Sequence, residues 1–143
     1  MLGCAEVETA SKQICNLIDP NNKCGTIAEY KRMILGKYPK ICTCKVVAPR
    51  WSNKEFFPFD GWDTTKLAWW DSYQNLKHHR YSAIECAFYE NAVYTLVALF
   101  ILIQYLYRIN EKRCRAENSS YFNCDYAAVN IFVVQNARLP DFE

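Results

Sequence analysis

The residues of this chain most able to do chemistry are its eight cysteines and two histidines. Cysteine at this density in 143 residues indicates either an oxidising compartment, where thiols pair as disulfides, or a metal site. We expect neither a secretory signal nor a mitochondrial presequence, because the start of the chain lacks a basic, apolar stretch and holds Glu6 and Glu8. The cysteines are Cys4, Cys15, Cys24, Cys42, Cys44, Cys86, Cys114 and Cys124.

The first five cysteines lie on or beside two predicted helices. One face of the first helix carries Cys4, Val7, Ser11, Ile14, Cys15 and Ile18. Residues 19–25 have the composition of a turn, and Thr26 with Glu29 forms a capping-box pattern that begins a second helix. Pro39 ends that helix. The pattern therefore predicts a helical hairpin within residues 1–48.

An antiparallel hairpin would bring cysteines together at both of its ends. Cys15 would meet Cys24 at the turn, and Cys4 would meet Cys42 or Cys44 at the open end. We predict the bridges Cys15–Cys24 and Cys4–Cys42, which would stabilise a hairpin that has little core of its own.

This nested pairing over residues 4–44 resembles the coiled-coil-helix-coiled-coil-helix proteins of the mitochondrial intermembrane space. The resemblance implies import without a cleavable presequence and oxidation on arrival. The spacing departs from the family, which places nine residues between paired cysteines, whereas ten separate Cys4 from Cys15 and seventeen separate Cys24 from Cys42. Cys114 and Cys124 do have nine residues between them, and we interpret them as free thiols.

Metal binding and catalysis are the alternative uses of these side chains. Cys42 and Cys44 are separated by one residue, whereas structural zinc sites usually use two to four. His79 and Cys86 share a helix face near His78, but they form no recognisable set of four ligands. The chain contains no glycine-rich phosphate loop and no GxSxG, HExxH or CxxC motif. We therefore expect no metal, no cofactor, no small-molecule substrate and no catalytic residue.

One segment has the length and composition of a membrane span. Residues 87–107 would reach roughly 30 Å as a helix, which is the thickness of the hydrocarbon layer. Their centre, LVALFILI, is apolar on every side, and tyrosines lie near both ends. The alternative is a buried helix in a soluble thiol or zinc protein, but a domain of this size could hardly enclose so long an apolar cylinder.

Basic residues near the ends of the span predict its orientation. Four follow the span and two precede it; these are Arg108, Lys112, Arg113 and Arg115, then Lys77 and Arg80. The bias places the C-terminal tail in the matrix or cytosol and the N-terminal 86 residues on the opposite, oxidising side.

Seven large aromatic residues between the hairpin and the span suggest a docking surface. Because a hairpin of about forty residues could not cover so many rings, we expect them to bind a partner protein or the membrane surface. The predicted docking residues are Trp51, Phe56, Phe57, Phe59, Trp62, Trp69 and Trp70.

The sequence thus predicts a mainly α chain in four parts. They are a disulfide-stapled helical hairpin at 1–48, an irregular aromatic connector at 49–63, one long helix at 64–117, and an irregular tail at 118–143 that includes an apolar run at 127–134. The net charge of +2 does not indicate a nucleic-acid partner.

We expect a non-catalytic accessory subunit of a mitochondrial inner-membrane respiratory complex, whose partners are the other subunits and the lipid bilayer. The alternative is a single-pass cell-surface, endoplasmic-reticulum or viral-envelope protein with a disulfide-bonded N-terminal ectodomain that binds a protein partner. The glycosylation motif at Asn118 discriminates between them, because sugar there would invert the predicted topology.

Overall fold

A computed structural model describes residues 2–48, 52–78, 89–116 and 140–142; the side chains of residues 2 and 113–116 are not described. The described residues are mainly helical. Four α-helices occur there, with a 3-10 helix at Pro39–Thr43 and a two-stranded antiparallel sheet. The helices are α1 (Leu2–Ile18), α2 (Ile27–Lys37), α3 (Ala68–His78) and α4 (Tyr89–Ala116), and the strands are β1 (Val46–Ala48) and β2 (Lys54–Phe56).

The predicted helical hairpin is confirmed. α1 and α2 pack together, and the face predicted for α1 is buried apart from Ile18, which is partly buried. Thr26 caps α2, with both hydrogen bonds of the capping box present between Thr26 and Glu29. The Glu29 carboxylate also accepts from the Gly25 backbone at 2.7 Å, and these bonds lower its pKa. These hydrogen bonds fix the direction in which the chain leaves the turn and enters α2.

Replacing Thr26 with alanine should lower the free energy of unfolding by about 1 kcal/mol, because a donor at the start of α2 loses its acceptor. Thr9 is the matched control: it is exposed within α1 and bonds only back to the Ala5 carbonyl, so Thr9→Ala should be neutral or slightly stabilising. Urea titration of both variants measures the difference. Equal effects would contradict the capping role.

The predicted irregular connector is wrong over its central residues, which form strand β2. Val46 pairs with Phe56 and Ala48 with Lys54. The strands are held in register because Ser52 and Asn53 adopt left-handed backbone angles, with φ of 53° and 58°. The remainder of the connector turns at Gly61, whose carbonyl accepts hydrogen bonds from the backbone N–H groups of Thr64 and Thr65.

The prediction of one unbroken helix over residues 64–117 is also wrong. α3 begins at Ala68, because the residues before it form a turn on the Gly61 carbonyl. α3 and α4 also contact each other. In a continuous helix their facing ends, His78 and Tyr89, would lie about 16 Å apart and the two segments could not touch. α3 and α4 are therefore two separate helices that pack against each other.

α4 makes its most extensive contacts with α1. A Cβ atom on Gly3 would lie 3.1 Å from the Thr95 side chain, so glycine permits the close approach of the two helices. Val97, Ala98 and Leu102 complete the buried face of α4. Within the described ranges α4 is the one helix long and apolar enough to cross a membrane, judged by length and composition alone.

Candidate functional site

The five described cysteines are all thiols: Cys4, Cys15, Cys24, Cys42 and Cys44. The predicted disulfide staple is therefore not present in this structure. The five thiols differ in burial and in the groups that surround them, and these differences bear on the two predicted pairs.

Cys15, on α1, and Cys24, in the turn before α2, lie at the tip of the hairpin, close enough for their charges to interact. Cys15 is 1% exposed, whereas Cys24 is partly exposed. Burial and, to a smaller extent, negative charge on Cys24 together raise the pKa of Cys15 to about 12. The two cysteines of the first predicted pair thus lie at the same end of the hairpin, and a bond between them stays a prediction.

The second predicted pair, Cys4–Cys42, is not brought together. The sulfur of Cys4 lies 3.4 Å from the Thr95 hydroxyl on α4, whereas Cys42 lies near the backbone of Trp62 and Asp63. The prediction is wrong because the hairpin is not free-standing: α4 and the segment before α3 lie against its open end. Cys44 is likewise committed elsewhere: it lies 3.4 Å from the Tyr105 hydroxyl, and burial raises its pKa to about 11.

The prediction that the aromatic residues dock on a partner is wrong for five of the seven. The protein buries these five in its own core; they are Phe56, Phe59, Trp62, Trp69 and Trp70. The hairpin alone could not cover them. Trp69 and Trp70 lie on α3, which packs against α4, and the Trp69 ring contacts both Phe59 and Trp70. Phe57 remains 40% exposed, and Trp51 lies outside the described residues.

A contact that the sequence did not predict holds residues 140–142 against the end of the hairpin. The Tyr105 hydroxyl donates to one oxygen of the Asp141 carboxylate at 2.7 Å, and the Lys40 backbone N–H donates to the other at 3.1 Å. The Phe142 ring stacks on Tyr38 with centroids 5.3 Å apart. We call this arrangement the C-terminal clamp; Lys112 completes it, with its amine 4.7 Å from the Phe142 ring centroid.

The C-terminal clamp bears directly on the predicted topology. Through Lys40 and Asp141 it joins the N-terminal part to the C-terminal end at one position on α4. Tyr105 lies about 12 Å from the middle of the predicted span 87–107, near the C-terminal edge of a hydrocarbon layer about 30 Å thick, so the clamp brings the N-terminal part to the far end of the span. If α4 crossed a bilayer with the two parts on opposite sides, the clamp would have to open.

Replacing Tyr105 with phenylalanine should lower the free energy of unfolding by about 1–3 kcal/mol, because the Asp141 carboxylate loses a donor. A double-mutant cycle with Asp141→Ala, followed by chemical unfolding, isolates the bond. We expect a coupling energy of about 1 kcal/mol. Additive effects of the two substitutions would show that the clamp does not form in solution.

The outer face of α4 carries apolar side chains that the described core does not cover. Leu96 is 51% exposed and Ile103, seven residues further on, is 49% exposed. Seven residues make nearly two helical turns, so the two side chains lie on one line. Leu99 and Leu106 are partly buried on the same side of the helix.

Several predicted residues fall outside the described ranges. They are Cys86, Cys124, His79, Asn118 and the apolar run at 127–134, together with the side chain of Cys114. Among the described side chains no group of three or more His, Cys, Asp or Glu residues is placed to hold a metal ion. The sequence missed the clamp because nothing in the order of residues relates Lys40 to a carboxylate a hundred positions away.

Comparisons with family models, with curated proteins and with solved structures give no match for this chain. The resemblance of residues 4–44 to the twin-cysteine hairpin proteins therefore stays a prediction, and the geometry of the described residues carries the functional argument.

Proposed function

We propose that this chain is a non-catalytic accessory subunit that positions, or helps assemble, larger subunits of a mitochondrial inner-membrane respiratory complex. The observation that supports this most is the apolar outer face of α4, on which Leu96 and Ile103 are half exposed. The most apolar 18-residue window of α4 has a mean hydropathy of 1.7, and 39% of that window is buried in the protein's own core, which leaves apolar surface on the outer face for another environment.

The manner of attachment follows from the C-terminal clamp. Docking of the outer face against an apolar partner helix or the membrane leaves the hairpin, the sheet and the clamp intact on the inner face. Crossing the bilayer with the tail on the far side requires the bonds from Tyr105 and Lys40 to Asp141 to break. We therefore propose attachment through the outer face with the folded body intact.

The thiols at the hairpin tip support an oxidising location for the N-terminal part, as in the intermembrane space. Cys15 and Cys24 lie at the same end of the hairpin, close enough for their charges to interact, and an oxidising compartment would favour a bond between them. The bond Cys15–Cys24 is accordingly part of the proposal, whereas Cys4–Cys42 is not.

Native gel electrophoresis of detergent-solubilised mitochondrial membranes tests the proposed function. The chain should co-migrate with a band of very high mass that stains for respiratory activity, which would also name the complex. Migration alone at low mass, or absence from mitochondria, would contradict the proposal and favour the secreted or cell-surface alternative. Sugar on Asn118 would then be the next feature to examine.

A further inference from the structure

The C-terminal clamp joins a segment of three residues, 140–142, to a site that is built elsewhere in the chain. The segment contacts residues directly after α2, in the 3-10 helix and on α4. All of these residues precede position 117 in the chain. The segment therefore binds to the folded body in the way that a separate short peptide would.

The site holds the carboxylate of the segment with two donors. The Asp141 carboxylate accepts from the Tyr105 hydroxyl at 2.7 Å and from the Lys40 backbone N–H at 3.1 Å. The Lys40 amine donates to the Pro140 carbonyl at 3.0 Å, which places a cation beside the anion. The site is thus complementary to this segment in both charge and hydrogen bonding.

The aromatic part of the site supports itself without the segment. The rings of Tyr38 and Tyr105 meet edge to face with centroids 5.5 Å apart, and the Tyr105 hydroxyl lies 3.4 Å from the Cys44 sulfur. The Phe142 ring adds to this pair by stacking on Tyr38, with the Lys112 amine 4.7 Å from its centroid. The receiving surface therefore keeps its shape when the segment leaves.

The segment is also accessible. All three of its residues are only partly buried, and Lys40 is exposed, so the segment can leave or enter without unfolding the core.

The length of chain before the segment allows it to reach beyond its own site. Residues 117–139 connect Ala116, at the end of α4, to Pro140. Tyr105 lies only about 16 Å back along α4 from Ala116. A chain of that many residues can span up to about 75 Å. The connection is therefore long enough to reach the same site on a second copy of the chain.

We propose that this site accepts residues 140–142 of a second copy, so that two chains exchange their C-terminal segments and form a dimer. An exchanged pair makes twice the contacts that the structure shows once, so exchange loses no contact. When one segment has crossed, the second segment and its site are held close together, and their effective concentration favours closing the pair. The inference concerns the clamp alone and is independent of the proposed function.

A mixture of two isotopic forms separates exchange between chains from contact within one chain. Unlabelled and heavy-isotope-labelled full-length protein, purified in detergent, are mixed in equal amounts, cross-linked with a zero-length carbodiimide and digested with trypsin. The informative link joins Lys40, in the peptide 38–45, to Asp141, in the peptide 139–143. Tandem mass spectrometry locates the link and shows whether its two peptides come from one isotopic form or from both.

With complete exchange, about half of the Lys40–Asp141 links should join the two isotopic forms, because each segment meets either form with equal chance. This fraction should rise with protein concentration, since the dimer forms by association. The Lys45–Glu55 ion pair is the control. Its partners flank one strand pair of a single chain, so its links should each contain one isotopic form.

Two full-length variants give a complementary pair. Asp141→Ala keeps the site but lacks the carboxylate, whereas Tyr105→Phe keeps the segment but has a weakened site. In their mixture, a link from Lys40 of the first variant to Asp141 can only come from the second chain. It should be at least about twice as abundant as with a wild-type partner, whose segments divide between two equal sites.

Three results would overturn the inference. The first is that Lys40–Asp141 links never join the two isotopic forms at any concentration, which would show that the clamp closes only within one chain. The second is that Lys45–Glu55 links mix the isotopic forms to the same extent, which would show unspecific association. The third is that protein giving the Lys45–Glu55 link gives no Lys40–Asp141 link. The isotope mixture uses the unaltered chain, so these results do not depend on whether a variant folds.

Discussion

Replacing Trp69 with alanine should lower the free energy of unfolding by about 3–5 kcal/mol, the range for removing a large aromatic side chain from a core. Trp69 is 5% exposed, and its indole N–H donates to the Pro58 carbonyl at 2.8 Å. Its ring meets Phe59 and Trp70 edge to face. The substitution would leave a cavity and a buried carbonyl without its donor.

Phe57 provides the control, because it belongs to the same aromatic segment but is 40% exposed. Phe57→Ala should change the free energy of unfolding by about 0.5 kcal/mol or less. Both variants are measured by urea or guanidinium titration of the purified protein. If Trp69→Ala left stability unchanged but removed the chain from its complex, Trp69 would be a docking residue, as the sequence predicted.

The second large effect is expected on the outer face of α4. Substituting asparagine for both Leu96 and Ile103 should weaken membrane or complex association by about thirtyfold. Each side chain is half exposed, so covering it stabilises the bound state by roughly 1 kcal/mol, and two give about 2 kcal/mol. The fraction of the chain that stays in carbonate-washed membranes, measured by immunoblotting, gives the result.

Two controls separate attachment from folding. Phe57→Asn changes another exposed apolar residue and should keep the chain in the membrane fraction. Val97→Asn places a polar group on the fully buried face of α4, and we expect it to unfold the protein. If the Leu96 and Ile103 double variant stayed bound while circular dichroism showed it folded, the outer face would not be the attachment surface.

The hairpin could be predicted because its signals are local. The capping box at Thr26 and Glu29, the turn before it and the stop at Pro39 all act within a few residues, and the structure follows each of them. The strand pair could also have been predicted. Strand β1 is a short apolar run, and Asn53 is a residue that tolerates left-handed backbone angles, but the two charged residues of β2 and the two prolines and the glycine nearby favour irregular structure.

The remaining differences come from contacts between distant segments. Uniform helical propensity did not reveal that α3 packs against α4, and that contact determines whether Trp69 and Trp70 are surface or core. The same applies to the cysteines. The pairing of Cys4 with Cys42 was plausible for an isolated hairpin, but the position of Thr95 on α4 decides where Cys4 lies. The spacing of apolar residues within each segment does not show that α3 packs on α4 or that Cys4 lies beside Thr95.

The candidate site likewise contains one feature that the sequence predicts and two that it does not. The adjacency of Cys15 and Cys24 follows from a turn between antiparallel helices, so the sequence was sufficient to propose it. The C-terminal clamp brings Asp141 to Lys40, which are a hundred residues apart, and no local pattern indicates this. The half-exposed state of Leu96 and Ile103 also required the packed structure, because a uniformly apolar segment does not show which of its sides is covered.

The most direct test of the account is zero-length carbodiimide cross-linking of the chain in isolated mitochondrial membranes, followed by mass spectrometry. The clamp places the Lys40 amine 3.0 Å from the carbonyl of Pro140, the residue that precedes Asp141 in the chain. The Lys45–Glu55 ion pair at 2.6 Å is an internal positive control that any folded form should give. If α4 attaches by its outer face with the folded body intact, the membrane-bound protein should yield both Lys45–Glu55 and Lys40–Asp141 links. Membrane-bound protein that yields Lys45–Glu55 without Lys40–Asp141 would contradict the account and favour a bilayer-crossing α4 with the two ends of the chain on opposite sides.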